Sequence, residues 1–271
     1  MSASPSDRRA LKRLAEGAAA RGGPRLALGP GAALLRGRVH EICGPSRRSL
    51  AALLAATAER NGEGGPILWI RAPGVDGRPG ADGLARFFNP GRLVIATPRR
   101  TEDAPWCAEE ALRAGACGLV LVELTSPLRL TPVRRLHLAA RAGAERAAEA
   151  GAPPPLALLL VPGDGGCEGV ESRWFCSPEA AAASARVPRD AAERGPDWPS
   201  GGAETWRLEL RRARLSPPRR WHAIRRSEAS GPPLRLVPAG APKDLATLPP
   251  PPPSLAAPLR DARAAAASAQ G

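Results

Sequence analysis

Short apolar runs alternate with segments of helical period along the first two thirds of the chain. The runs are Arg38–Cys43, Ile67–Ile70, Leu93–Ala96, Gly118–Leu124 and Leu156–Val161. Between them, small and apolar residues recur at i, i+3, i+4 and i+7: Leu50, Leu53, Leu54, Thr57; Ala108, Ala111, Leu112, Gly115; Leu136, Ala139, Ala140, Gly143. Each such stripe can cover one face of a sheet. The alternation predicts an α/β domain built on a mainly parallel sheet flanked by helices. Thr131 and Pro132 read as the N-cap and first residue of the third helix. Residues 7–20 read as a short solvated helix or arm, with Leu11 and Leu14 on one side and Arg8, Arg9, Lys12 and Arg13 around the rest.

After residue 200 the period becomes two. Trp206, Leu208 and Leu210 face one way and Arg207, Glu209 and Arg211 the other, the pattern of a half-buried strand. Ser216, Pro217 and Pro218 supply a turn, and a return strand begins with Trp221 and Ala223 opposite His222 and Ile224. The expectation is a basic antiparallel hairpin at the C-terminal edge of the sheet. Pro249–Pro253 and the Ala-rich end lack the apolar pattern needed to order themselves. The chain therefore divides into an arm over 1–25, a domain over 26–238 and a Pro/Ala-rich tail over 239–271.

Charge is unevenly distributed. Residues 1–60 hold 11 basic and 4 acidic side chains, residues 61–200 hold 16 and 17, and residues 201–271 hold 12 and 5. A near-neutral middle between basic ends favours contact with a polyanion, either nucleic acid or an acidic protein. Only Lys12 and Lys243 are lysines among the 39 basic residues, so coding bias explains arginine over lysine but not basic over acidic. No apolar run approaches the roughly 18 residues of a membrane span. Met1–Arg25 lacks a secretory pattern, which leaves a cytoplasmic setting as the expectation. Five cysteines with no C-x-x-C pair read as reduced core residues.

The first strand of the parallel set runs through Gly44, Pro45, Ser46, Arg47, Arg48 and Ser49 into a helix. Strand, small-residue loop and helix N-terminus form the layout in which backbone N–H groups and the helix dipole hold phosphate. A working phosphate loop also has a second glycine and a lysine that reaches the terminal phosphates. Neither is present here, and arginine is no conservative stand-in for that lysine.

The run Gly37–Pro45 resembles the strand entering the ATP site of the RecA recombinases, and more closely that of their degenerate relatives, the ImuA family of mutagenesis accessory proteins; the SulA-type division inhibitors are further kin. Matches continue in order: Ile67–Ile70; Arg92-Leu93-Val94 leading to Pro98; Trp106 opening Glu109–Ala116; Gly118–Glu123; Arg134–Ala140; and the basic pair Leu208 to Trp221, with Arg214 before Pro217-Pro218. The resemblance covers residues 26–226. It implies a RecA-like fold and a role in damage-induced (SOS) DNA repair and mutagenesis, beside a Y-family-like polymerase homologue and a DnaE-type error-prone polymerase.

Departures from the active recombinases bear on mechanism. The resemblance implies a Walker lysine, a glutamate after the second strand and an aspartate ending the fourth. This chain has no lysine there, Ala72 or Pro73, and Glu123. Hydrolysis is therefore not expected, and no cofactor is. Glu123, ending an apolar strand, can hold a metal or, more commonly, a cap or ion pair. His40, His137 and His222 are too scattered for a metal or triad pattern, and Ser46, Ser49 and Ser126 lack a nucleophile elbow. Arg211, Arg212, Arg214, Arg219, Arg220 and Trp221 are the expected surface for DNA, the polymerase partners or a recombinase filament. The expected role is a non-catalytic scaffold of translesion synthesis, nucleoid-associated when active. The alternatives are a division inhibitor that binds the division GTPase and a weak DNA-stimulated ATPase.

Overall fold

The computed structural model describes residues 23–179, 204–214, 216–225 and 234–239. The arm expected over 1–25 lies almost wholly outside them, as does the tail expected from 239. An antiparallel ribbon comes first, β1 (Arg25–Gly29) with β2 (Ala32–Leu35), followed by β3 (Val39–Cys43) and α1 (Arg47–Arg60). Then follow β4 (Ile67–Arg71), α2 (Ala81–Ala85), β5 (Leu93–Ala96), α3 (Asp103–Ala114), β6 (Leu119–Glu123), α4 (Leu130–Glu149) and β7 (Leu156–Val161). The last strands are β8 (Ser172–Pro178), β9 (Glu204–Ala213), β10 (Arg219–Arg225) and β11 (Arg235–Pro238).

Nine strands form one sheet in the order β11-β10-β9-β8-β3-β7-β6-β4-β5. From β8 to β5 the pairs are parallel, and from β8 to β11 they are antiparallel. All five residues of β3 and β6 and all six of β7 are buried, as central parallel strands must be when helices cover both faces. The fold is thus mixed α/β, with a large mostly parallel sheet, flanking helices and an antiparallel C-terminal extension.

Alternation of side chains along the strands divides the core in two. On one face Ile42, Trp69, Leu121 and Leu158 pack with α1 and α2, and the ribbon's Leu26, Leu28 and Leu34 join them. Trp174, Trp206, Leu208 and Trp221 carry this core under the antiparallel strands. On the other face Ile70, Val122 and Leu159 pack with α3 and α4. There the two helix backbones touch: a Cβ on Gly143 would lie 1.8 Å from the Leu112 carbonyl oxygen, and one on Gly115 would lie 2.6 Å from that of Gly143.

Two local expectations change. Helix α4 starts at Leu130 with Arg129 as its cap residue, so Thr131 and Pro132 lie inside the first turn; Pro132 fits there because first-turn N–H groups need no helical partner. The β9–β10 hairpin is internal rather than at the edge, because β11 pairs with β10 on its outer side.

Candidate functional site

The loop from β3 to α1 is tied to its neighbours by its own backbone. Gly44 has φ +92°, and a Cβ there would come within 2.4 Å of the Cys176 carbonyl oxygen, so the position requires glycine. Its N–H donates to the Gly163 carbonyl at 2.8 Å. Pro45 has no N–H, that of Ser46 donates to the Cys176 carbonyl at 3.0 Å, and that of Arg47 turns back to the Gly44 carbonyl at 3.3 Å. The N–H groups of Gly44, Ser46 and Arg47 are therefore engaged with protein carbonyls. Ser49 stands one residue into the helix beyond Arg48, and the loop contains only residues 44–46.

The first turn of α1 carries two arginines and no acid, an arrangement disfavoured by the helix dipole unless a carboxylate answers it. Glu123 is that carboxylate. It is fully buried at the end of β6, beside Arg71 at the end of β4. Its Oε1 accepts from Arg48 Nε at 2.5 Å and lies 4.0 Å from Arg47 Nη2; its Oε2 accepts from Trp69 Nε1 at 3.3 Å and lies 3.5 Å from Arg71 Nε. Arg48 Nη2 also donates to the carbonyls of Asp76 and Gly77, and Arg71 Nη2 to those of Val75 and Gly77. The chain leaves β4 for the α2 face and β6 for the α4 face, so the cluster occupies the crevice where open α/β sheets hold ligands. Side chains fill it, and Glu123 serves as the ion-pair partner.

A second buried carboxylate, Glu41 in β3, carried no sequence expectation. Its Oε1 accepts from the N–H groups of Gly166 at 2.7 Å and Cys167 at 3.0 Å, and its Oε2 from Arg173 Nε at 2.5 Å. These bonds pin the loop whose Gly163 accepts from Gly44. The available signal was a glutamate in the middle of a strand between Val39 and Ile42-Cys43, because a buried charge must be paired.

The hairpin residues do not form one strip. Trp221 is 3% exposed and stacks on Trp174 with ring centres 5.7 Å apart, so it belongs to the core and not to a contact surface. Arg211 lies 3.6 Å over the Phe175 ring and bonds Asp164 at 2.8 Å and Glu209 at 3.0 Å. Arg220 also approaches Glu209, at 3.6 Å, as does Arg207, which the sequence pattern did not single out, at 3.4 Å. Arg212, Arg214 and Arg219 are exposed and have no ion pair among the described residues.

Elsewhere, His40 is buried between Leu35 and Ser172: Nε2 donates to the Leu35 carbonyl and Nδ1 accepts from the Ser172 hydroxyl, which itself accepts from Trp174 Nε1. Burial lowers its pKa to about 4. Burial also pushes the thiols of Cys43, Cys167 and Cys176 up to about 12. A groove of about 600 Å³ opens between the starts of α3 and α4, against Trp106. No cluster of His, Cys, Asp and Glu among the described residues has the makings of a metal site.

No known family and no curated protein matches the chain. Among solved structures it is similar to the crystal structure of SulA from Pseudomonas aeruginosa, with 23% identity, coverage of 45% of this chain and 96% of that one, and a TM-score of 0.32.

Proposed function

We propose that this chain is a non-catalytic, RecA-like accessory protein of damage-induced translesion DNA synthesis, acting as a docking scaffold in a bacterial cytoplasm. One observation carries the non-catalytic reading: the loop N–H groups donate to Gly163, Cys176 and Gly44 while Arg48 bonds Glu123. Phosphoryl transfer depends on loop donors and a cation free to meet the phosphates, and here the N–H groups of residues 44, 46 and 47 and the Arg48 side chain are already engaged. The translesion assignment rests on the ordered motifs from Gly37 to Trp221 that resemble the ImuA family. On that reading the partners are a Y-family-like polymerase homologue and a DnaE-type polymerase, and the basic surface meets DNA or a recombinase filament.

The test is genetic. Deleting the gene should sharply reduce mutation frequency after ultraviolet or alkylating damage while leaving homologous recombination near normal. Filamentation on overexpression without damage, together with unaltered induced mutagenesis in the deletion, would overturn this reading in favour of a division inhibitor.

A further inference from the structure

The arginines at the β9–β10 hairpin fall into two electrostatic classes. Arg211 and Arg220 sit on the strand face that carries Glu209, and Asp164 answers Arg211 as well. Arg212, Arg214 and Arg219 surround the turn of the hairpin, are exposed and have no carboxylate partner among the described residues. The Arg214 N–H donates to the Glu171 carbonyl at 3.2 Å, and Arg38 Nε stands 3.9 Å from the Glu171 carboxylate. The hairpin end and the start of β3 therefore flank Glu171, on either side of the start of β8. Arg38 and Arg214 border one carboxylate, whose approach to Arg38 is at the limit of an ion pair.

We infer that Arg38, Arg212, Arg214 and Arg219 form a phosphate-backbone contact surface for DNA, separate from the degenerate loop. The inference rests on the proposed function for its choice of polyanion and assigns the residues that meet it. Guanidiniums that are exposed and unpaired, as those of Arg212, Arg214 and Arg219 are among the described residues, bind phosphate oxygens in forked pairs and release counterions as they do so. A protein partner would also want an apolar anchor at the centre of the contact. The large hydrophobic side chains left exposed among the described residues are Val94, Ile95, Trp106 and Leu138, on β5, α3 and α4, and none belongs to the hairpin. Phosphate contacts carry no base information, so binding is sequence-tolerant.

The experiment measures anisotropy of a labelled 30-mer, single-stranded and duplex, titrated with the full chain over a salt series. The log–log slope should fall by about 0.9 for each duplex phosphate no longer neutralised and by about 0.7 for each phosphate of a single strand. The triple variant Arg212→Ala, Arg214→Ala, Arg219→Ala should therefore reduce the slope by about 2 to 3. Lysine at all three positions should restore most of it. The pair Arg134→Ala, Arg141→Ala, which removes two exposed charges from α4, should leave it unchanged. An unchanged slope in the triple variant overturns the assignment, as does an equal fall in the α4 pair, and so does tight binding to poly-L-glutamate with none to either oligonucleotide. Failure here with damage-induced mutagenesis dependent on the gene leaves the proposed function standing; the converse result removes the translesion role and keeps the surface.

Discussion

Arg48 Nε meets Glu123 Oε1 at 2.5 Å, joining the first turn of α1 to the carboxyl end of β6. The carboxylate is fully buried and the arginine about one third exposed, so the two partners respond unequally to removal. Glu123→Gln leaves the guanidiniums of Arg71 and Arg48 without this counter-charge and should lower unfolding free energy by about 3–5 kcal/mol, the range for breaking a buried pair. Arg48→Ala should be milder, because Arg71 and Trp69 still face the carboxylate. Urea titration of both variants checks the order.

ATP turnover should not exceed background, with or without DNA, and Ser49→Ala should not change induced mutagenesis. Thermal melts should be the same with and without magnesium ATP, since a ligand that binds only the native state raises Tm. DNA-stimulated hydrolysis abolished by Arg48→Ala would falsify the non-catalytic reading.

His40 makes stability fall on the acid side. Its folded pKa of about 4 lies below the ordinary 6.5, so between those values the unfolded chain binds the proton and the folded chain does not. Stability from this group is complete above pH 6.5 and is lost as pH falls toward 4, by on the order of 3 kcal/mol. Denaturation midpoints measured across pH 4–7 should show the loss, and His40→Asn should flatten it at a lower overall stability.

Gly143→Ala should destabilise the fold severely, because the new methyl would meet the Leu112 carbonyl and helix backbones yield less readily than side chains. The loss should reach or exceed the roughly 1–3 kcal/mol of an overpacked core. Ala144→Ser, one residue along, gives the baseline for comparison of Tm.

Thiol labelling at pH 8 should reach Cys107 and Cys117, which are partly exposed, and spare Cys43, Cys167 and Cys176 until denaturant is added. The last three are held as thiols by burial, and the thiolate is the reactive form. Mass mapping of the modified sites decides it.

The central parallel strands β3, β6 and β7 were legible because burial on both faces leaves largely apolar runs, as at Leu156–Val161. Strand β9 was legible because Trp206, Leu208 and Leu210 alternate with charges. The ribbon β1–β2, strand β8 and strand β11 were not, since Arg25–Gly29 and Arg235–Pro238 are too short for periodicity to stand out. In β8, Trp174, Phe175 and Cys176 are all buried whichever face they occupy, as Arg211 covers the one outward ring. At the site, the missing lysine showed that the loop differs from a working phosphate loop, and the ion-pair reading of Glu123 needed only its place at the end of an apolar strand. Glu41 and the division among the hairpin arginines depend on contacts between distant segments, which local pattern does not encode. Trp221 shows the same limit: its neighbours Arg219 and Arg220 suggested a surface, while its alternation with Ala223 already placed it with the core.

The knitting of residues 44–46 to Gly163 and Cys176 makes nucleotide binding hard to introduce at this loop. Lysine at position 48 would have to leave Glu123 before it could reach a phosphate, and the N–H groups of Gly44 and Ser46 would still point at two neighbouring segments. No single substitution frees them, because each bond is made by backbone. An engineered gain of nucleotide binding would have to begin with a longer loop, lifted clear of β8, and only afterwards with a change of charge.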